Sequence, residues 1–415
     1  MKKVLIGLLC LFMFFCGYIL YNTYRDKGIP KLKIEEERVE IDEIYVYGTH
    51  LNLHSNRNID ENVDLVLYNG EFISIGLNKI NEGFNLSNYI NEGYDLETIP
   101  RGNYYLFLRN KETDQDGIES YKYYALNNSS NYKETIYYTF SNVNNKIVIN
   151  SEDSYPTMMV CVAENTDSNV YDIVIDPGHG GMDGGANRYG SKESDFTMDL
   201  AVKVKKLLED KGFKVKLTHE PGQLTKNDKL NEYGVHGRAV VPYEVHAKYL
   251  FSLHMNSSVA TSVNGLEIYT ASDINFDFAK KLGESITSNT GLKYSGNRIN
   301  RLFEGIYTRK FTQDDIDSSM KDYESKDLKP YDITTKSIYY YIIRETGGIV
   351  TGAYVDNRNE KILGNPYYNS NVGTETYLLE LGYISNKSDL ENMKTKMDTY
   401  AKGITDVVGS LRGSN

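Results

Sequence analysis

Four residues in the C-terminal half of the chain have the types and placement needed for hydrolytic chemistry. His179 follows the apolar run "IVIDPG", His254 closes "YLFSL", and Glu380 interrupts "YLLELGY". Glu193 is tied to His179 by the glycine-rich stretch "GGMDGGANRYGSK". Two His and a carboxylate form a catalytic zinc set, with the fourth position left for water. The glycines between His179 and Glu193 permit positive φ and close backbone approach, so both residues can fold around one ion. An ionised carboxylate inside "LLELG" is costly to bury unless it is paired or functional. Beside a metal-activated water, such an acid serves as general base and then as general acid to the leaving amine. Taken singly, a His at a strand end is more often a satisfied structural group than a ligand. The argument therefore rests on four such placements within one region.

These residues need elements that bring them together. "YDIVIDPG" is a buried strand running into a turn. The next segment, "SDFTMDLAVKVKKLLEDKG", puts Phe196, Leu200, Val204, Leu207 and Leu208 on one helical face, with Gly212 where a helix ends. Strand-like "FKVKLTH", "KYLFSLHMNSS", "GLEIYT" and "TYLLELGYISN" follow, with helix-like "NFDFAKKLGESITSNT" among them and "TKMDTYAKGITDVVGSLRG" last. Strands alternating with helices predict an α/β domain over residues 171–415, with a mostly parallel twisted sheet flanked by helices. The carboxyl ends of its strands converge in one crevice.

The remainder of the 415 residues bounds the organisation. Residues 1–24 carry two Lys before an apolar run from Val4 to Tyr21, about long enough to span a bilayer. No small-residue cleavage site follows, so an uncleaved signal anchor is favoured over a cleaved signal peptide. Basic residues lie on both sides (Lys2 and Lys3 before; Arg25, Lys27, Lys31 and Lys33 after), so the charge count does not orient the segment. Residues 25–39 read as a charged stalk. Residues 40–164 hold about seven short strand-like runs, from "EIYVYG" to "NKIVIN", and predict an all-β, sandwich-like accessory domain. The pair His50 and His54 in "THLNLHSN" is commoner as isolated polar His than as a metal pair. Cys161 is the one Cys outside the N-terminal apolar run, which excludes a disulfide framework or a zinc ribbon. A net charge of -11 with no basic stripe excludes a nucleic-acid partner.

The motifs "IVIDPGHGGMDGGA", "LFSLHMN", "NGLEIYT" and "LLELGYISN", in that order, resemble the zinc-dependent N-acetylmuramoyl-L-alanine amidase family, the amidase-3 type of cell-wall hydrolase. The resemblance runs from about Asp172 to the C-terminus. It implies Zn2+ held by His179, Glu193 and His254, with Glu380 as the catalytic Glu that serves as general base. It further implies peptidoglycan as substrate, cleaved between the lactyl group of N-acetylmuramic acid and L-alanine. Arg238, Asn256 and Glu267 match family positions and are candidate substrate-binding or supporting residues. His219, Tyr243 and Lys248 stand where the family usually has Arg, Asn and Asp, which bears on peptide contacts and packing. An insertion at about 309–345 is a candidate lid, or a solvated surface helix. Such a substrate places the chain beyond the cytoplasmic membrane, anchored or secreted at the cell wall. The β region and the insertion are candidate surfaces for a protein partner. Alternatives are an inactive wall-binding or scaffold protein, and a zinc hydrolase of another cell-wall amide.

Overall fold

The structure, a computed structural model, describes residues 34–41, 43–48, 50–54, 63–74, 78–80, 83–85, 99–127, 133–138, 144–151, 156–224, 236–271, 276–309, 341–351 and 372–411. The N-terminal apolar run, residues 55–60 and 310–340 of the insertion lie outside them. Among the described residues no helix is long and apolar enough to cross a membrane.

Described residues up to 164 fold as strands. Gly102–Thr113 organises most of them. One of its edges pairs with Val63–Tyr68; it also pairs with Met159–Glu164 near its start and with Glu119–Asn127 further on. Thr157 fills the change of partner: its hydroxyl accepts from Leu126 N at 2.8 Å and bonds the Leu106 carbonyl. Lys133–Tyr138 and Asn145–Asn150 extend this sheet as a hairpin. Alternation is visible in Asn145–Asn150, where every second residue is buried.

Residues 43–54 behave differently. Glu43–Tyr47 and His50–His54 form a hairpin, and Glu43–Tyr47 then pairs in parallel with Val372–Gly373, just before the last strand of the C-terminal sheet. Gly48 N donates to the Gly373 carbonyl at 2.7 Å. Tyr47 is buried in the same hydrophobic cluster as Val174, Leu250 and Leu378, and its hydroxyl accepts from Thr376 N at 3.3 Å. Gly48 has φ 61, and a Cβ there would sit 2.8 Å from the Glu375 carboxylate. Glu375 is itself buried and accepts a hydrogen bond from the Tyr377 hydroxyl. Burial pushes its carboxyl up to about 7.

The C-terminal sheet contains seven strands: β1 (Ile173–Pro177), β2 (Val215–Leu217), β3 (Tyr249–Asn256), β4 (Leu266–Tyr269), β5 (Arg301–Phe303), β6 (Ile306–Tyr307) and β7 (Glu375–Tyr383). Their spatial order is β2-β1-β3-β7-β4-β6-β5. The pairs β2/β1, β1/β3, β3/β7 and β4/β6 are parallel, as expected, while β7/β4 and β6/β5 are antiparallel. Helices α1 (Glu193–Asp210), α3 (Asp277–Thr290) and α6 (Met397–Val408) are the long ones; α2 (Val241–Glu244), α4 (Tyr341–Thr346) and α5 (Lys387–Thr395) are short. Leu200, Val204 and Leu208 of α1 are buried, with Phe196 and Leu207 at their edge. That is the stripe expected from the spacing. The helix stops at Asp210 because Gly212 takes φ 85 and turns its N–H back to the Glu209 carbonyl.

Alternation along the strands splits the sheet's two faces. Ile173, Ile175, Phe251, Leu253, Tyr377 and Leu379 pack in one core with α1, α3 and α6. Val174, Leu250 and Leu378 pack in another with Val241, Val245, Ile342 and Ile343. The second face carries the site.

Candidate active site

Strand register builds a row of polar side chains at the end of that face. His254 pairs with Glu380 across β3/β7, and Glu380 pairs with Glu267 across β7/β4. Directly paired residues project to the same side, so an imidazole and two carboxylates stand side by side. The row beneath is Asp176, Ser252, Leu378 and Tyr269.

His179 reaches this row from the turn after β1. It takes φ 66, a conformation that costs a residue with a Cβ and marks a site held by its surroundings. Two glycines make the approach possible. A Cβ at Gly178 would enter the His254 ring. Gly185 has φ 63, and a Cβ there would lie 2.6 Å from the His179 ring and 2.7 Å from Glu193 Oε2.

Glu193 opens α1, where the helix dipole favours a carboxylate. Its Oε2 accepts from Ala186 N at 2.9 Å, and its Oε1 accepts from Met255 N at 2.9 Å. The same Oε1 lies 3.1 Å from His179 Nε2 and 3.0 Å from His254 Nδ1. The two rings meet edge to face with centroids 4.8 Å apart. His179 Nδ1 donates to Asp183 Oδ2 at 2.7 Å, and Asp183 Oδ1 accepts from Gly185 N at 3.0 Å.

The charges follow this geometry. Burial disfavours a charged His179, but Glu193 and Asp183 outweigh it and push the imidazole up to about 9. Burial dominates at His254 and lowers it. The two imidazoles hold Glu193 well below the usual carboxylate range despite its burial. Glu380 goes the other way: burial first, then the charges of Glu193 and Glu267, push it well above that range. Its Oε2 is buried and has no hydrogen-bond partner among the described residues.

The donors fit a metal ion. His179, Glu193 and His254 each offer one atom, and the three atoms lie within 4.8 Å of one another. Donors on a tetrahedral zinc ion stand roughly 3.3 Å apart, close to the 3.0 and 3.1 Å contacts here. Asp183 on the far nitrogen of His179 is the carboxylate–histidine support that metal-ligating imidazoles usually have.

Asn256, Glu267 and Arg238 fall into two groups. Glu267 is fully buried; its carboxylate accepts from Tyr383 at 2.6 Å, Tyr269 at 2.7 Å and Asn256 Nδ2 at 3.1 Å. Asn256 and Glu267 line a cleft of 740 Å³ beside the row. Arg238 instead sits in the row beneath, forking onto Asp176 with two bonds of 2.7 Å. Thr218 and Ser252 add hydroxyl bonds to Asp176 at 2.7 and 2.6 Å. Against the cost of full burial, the charge and hydrogen bonds of Arg238, with the Ser252 hydroxyl, hold Asp176 well below the usual range. The guanidinium is thus spent on a buried carboxylate and does not face the cleft.

Of the residues that depart from the family pattern, only His219 lies beside the site. His219 lies under the Gly180 turn, where burial pulls it down to about 4. Lys248 is buried 3.6 Å from Asp172, at the opposite end of β1 from His179. Tyr243 is buried in α2. Sequence reasoning missed Asp183, Asp176 and Tyr383. Asp183 had a signal, an acid between two glycine pairs in the loop joining two candidate ligands; Asp176, an acid ending an apolar strand, had a weaker one.

The fold and donor cluster define an α/β enzyme with a set of metal-capable groups gathered at the strand ends of its sheet. The chain belongs to the N-acetylmuramoyl-L-alanine amidase family, whose model matches residues 173–410. A protein of Buchnera aphidicola subsp. Schizaphis graminum that carries an N-acetylmuramoyl-L-alanine amidase name is 28% identical over 243 residues, covering 57% of this chain and 92% of the relative. LytH of Staphylococcus epidermidis, named a probable cell wall amidase, is 31% identical over 132 residues, covering 30% of this chain and 40% of the relative. Among solved structures, the catalytic domain of CwlV, an N-acetylmuramoyl-L-alanine amidase from Bacillus (Paenibacillus) polymyxa var. colistinus, matches at 22% identity and TM-score 0.37. That match covers 58% of this chain and 96% of that one.

Proposed function

We propose that the protein is a zinc-dependent peptidoglycan amidase that hydrolyses the bond between the lactyl group of N-acetylmuramic acid and L-alanine. The observation that carries this reading is the cluster in which three metal-capable donors meet a buried carboxyl whose one oxygen has no hydrogen-bond partner among the described residues. His179 Nε2, His254 Nδ1 and Glu193 Oε1 are the donors that would hold the ion. A zinc ion bound there lowers the pKa of water and polarises a carbonyl. Asp183 fixes the tautomer of His179, leaving Nε2 free to face the other donors. The backbone N–H groups of Ala186 and Met255 keep Glu193 from rotating away. Glu380, on the strand beside His254, accepts the proton of the attacking water and passes it to the departing amine nitrogen. A cation held at the three donors would favour its ionised form, which the first half of that exchange needs, and its raised proton affinity suits the second half, because the proton must be held until the C–N bond breaks.

In this reading residues 1–24 anchor the chain in the cytoplasmic membrane with the amidase outside, and the β region before residue 165 is an accessory unit for spacing or a protein partner. The decisive experiment incubates the zinc-loaded protein with purified peptidoglycan and identifies the amino terminus released. A free L-alanine amine is expected; any other new terminus sinks the assignment.

A further inference from the structure

The 740 Å³ cleft beside Glu380 has a one-sided chemistry that the hydrolytic mechanism does not require. Its floor is Glu267, with Tyr269 and Tyr383 beside it. Glu267 is fully buried and held by three donors, so its carboxylate is fixed in place. The walls are neutral hydrogen-bonding groups: Asn256, Ser257, Ser258, Asn264 and Asn297. Several are locked by their own loops, since Asn256 Oδ1 accepts from Ser257 N at 2.8 Å and Asn297 Oδ1 from Ile299 N at 3.0 Å. Among the described residues no Lys, Arg or His lines the cleft. Arg238, the guanidinium nearest in sequence logic to a carboxylate receptor, is committed to Asp176.

A carboxylate entering such a cleft meets the fixed Glu267 carboxyl group and, among the described lining residues, no Lys, Arg or His to pair with; a cation at the three donors would lie on the far side of Glu380. A carboxamide or hydroxyl of the same size meets amides and hydroxyls that exchange hydrogen bonds with it, and its N–H or O–H is drawn toward Glu267. Like charges placed together across an interface are a strong means of rejecting a ligand.

We propose that this cleft is a specificity subsite that accepts an uncharged, amide- or hydroxyl-bearing part of the substrate and rejects a carboxylate at that point. The proposal rests on the amidase reading above and names the charge state of the substrate it takes. Asn297 and Asn264, which lie outside the donor row, are its specificity-determining residues.

The test uses two soluble muramoyl-L-alanyl peptides that differ only in a free carboxylate or its carboxamide on the residue after L-alanine. The zinc-loaded full chain is expected to cleave the carboxamide form with a kcat/KM at least about tenfold higher. Asn297→Lys should narrow or reverse that ratio, with the gain confined to the carboxylate form. Asn264→Lys gives a second placement of the charge should the first variant fold poorly. Binding of both peptides to the Glu380→Gln protein, measured by calorimetry, reads the same preference without turnover. Equal or better cleavage and binding of the carboxylate form by the unaltered cleft overturns the subsite. Failure of the wild-type protein to cleave either peptide, with the binding preference intact, overturns the amidase reading and leaves the subsite standing.

Discussion

Asp176 and Glu380 are both buried carboxylates on the same face of the same sheet, one row apart, and only one of them is provided for. Asp176 receives two guanidinium bonds from Arg238 and hydroxyl bonds from Thr218 and Ser252. Its ionised form is strongly favoured. Glu380 has a partnerless buried oxygen and the negative neighbours Glu193 and Glu267, and its neutral form is favoured. Burial alone therefore says little about role. A carboxylate whose lone pairs are all taken is a fixture of the fold. One left short of partners has capacity for a proton that comes and goes, and native proteins rarely leave a buried polar atom in that state without a reason.

The sharpest break of this contrast is Glu380→Gln. The amide keeps the shape, so zinc content and the denaturation midpoint should hold, while kcat falls about 10²–10⁴-fold. Near-full turnover, or a large loss of stability with turnover intact, would make Glu380 a fixture like Asp176. The converse substitution, Asp176→Asn, strands a buried guanidinium and should cost about 3–5 kcal/mol in denaturant unfolding. A loss under about 1 kcal/mol would mean that Arg238 finds another partner. Glu375 extends the contrast to a third buried carboxyl. In the unfolded chain it ionises near about 4.3, but in the folded protein only at about 7. Between those values the unfolded chain has already released the proton, so stability should fall as pH rises through the window and level off above it, by at most roughly 3–4 kcal/mol. Glu375→Gln should flatten that slope; an unchanged slope would put its origin elsewhere. The smallest effect is expected at Asp183→Asn, which leaves the ligands in place but weakens the support of His179. Chelator competition should show metal affinity down about 10–100-fold, and an unchanged affinity would make the Asp183 contact incidental.

Much of this was legible because it depends on local pattern. Apolar runs marked β1, β3 and β7, and the helical stripe of α1 with Gly212 behind it stands at its observed place. His179, His254 and Glu380 stood out as polar residues at the ends or inside of apolar strands. What stayed hidden depends on pairing between distant segments. The spacing of His254, Glu267 and Glu380 along the chain does not reveal that β4 runs antiparallel beside β7 and sets them in one row. Arg238 reads as a candidate substrate-binding or supporting residue, and nothing near it in the chain singles out its buried acceptor, Asp176, which arrives from another strand. Likewise, nothing in "EIYVYG" says that one edge of this strand will meet Val372–Gly373.

That last pairing bears on how the chain is assembled and how it can be cut. Glu43–Tyr47 has no partner on that edge until residues near the opposite end of the chain are in place, so closure of this edge is a late, long-range event of the kind that slows folding. A fragment beginning at residue 165 retains every donor of the site. It loses the Tyr47 ring from the core, the donor to the Gly373 carbonyl, and the strand that covers Val372–Gly373. Such a piece carries a raw strand edge ready to pair with a second molecule. The boundary of the catalytic unit in space is therefore not its boundary in sequence, and an enzyme preparation that keeps residues 40–54 should stay monodisperse where one without them self-associates.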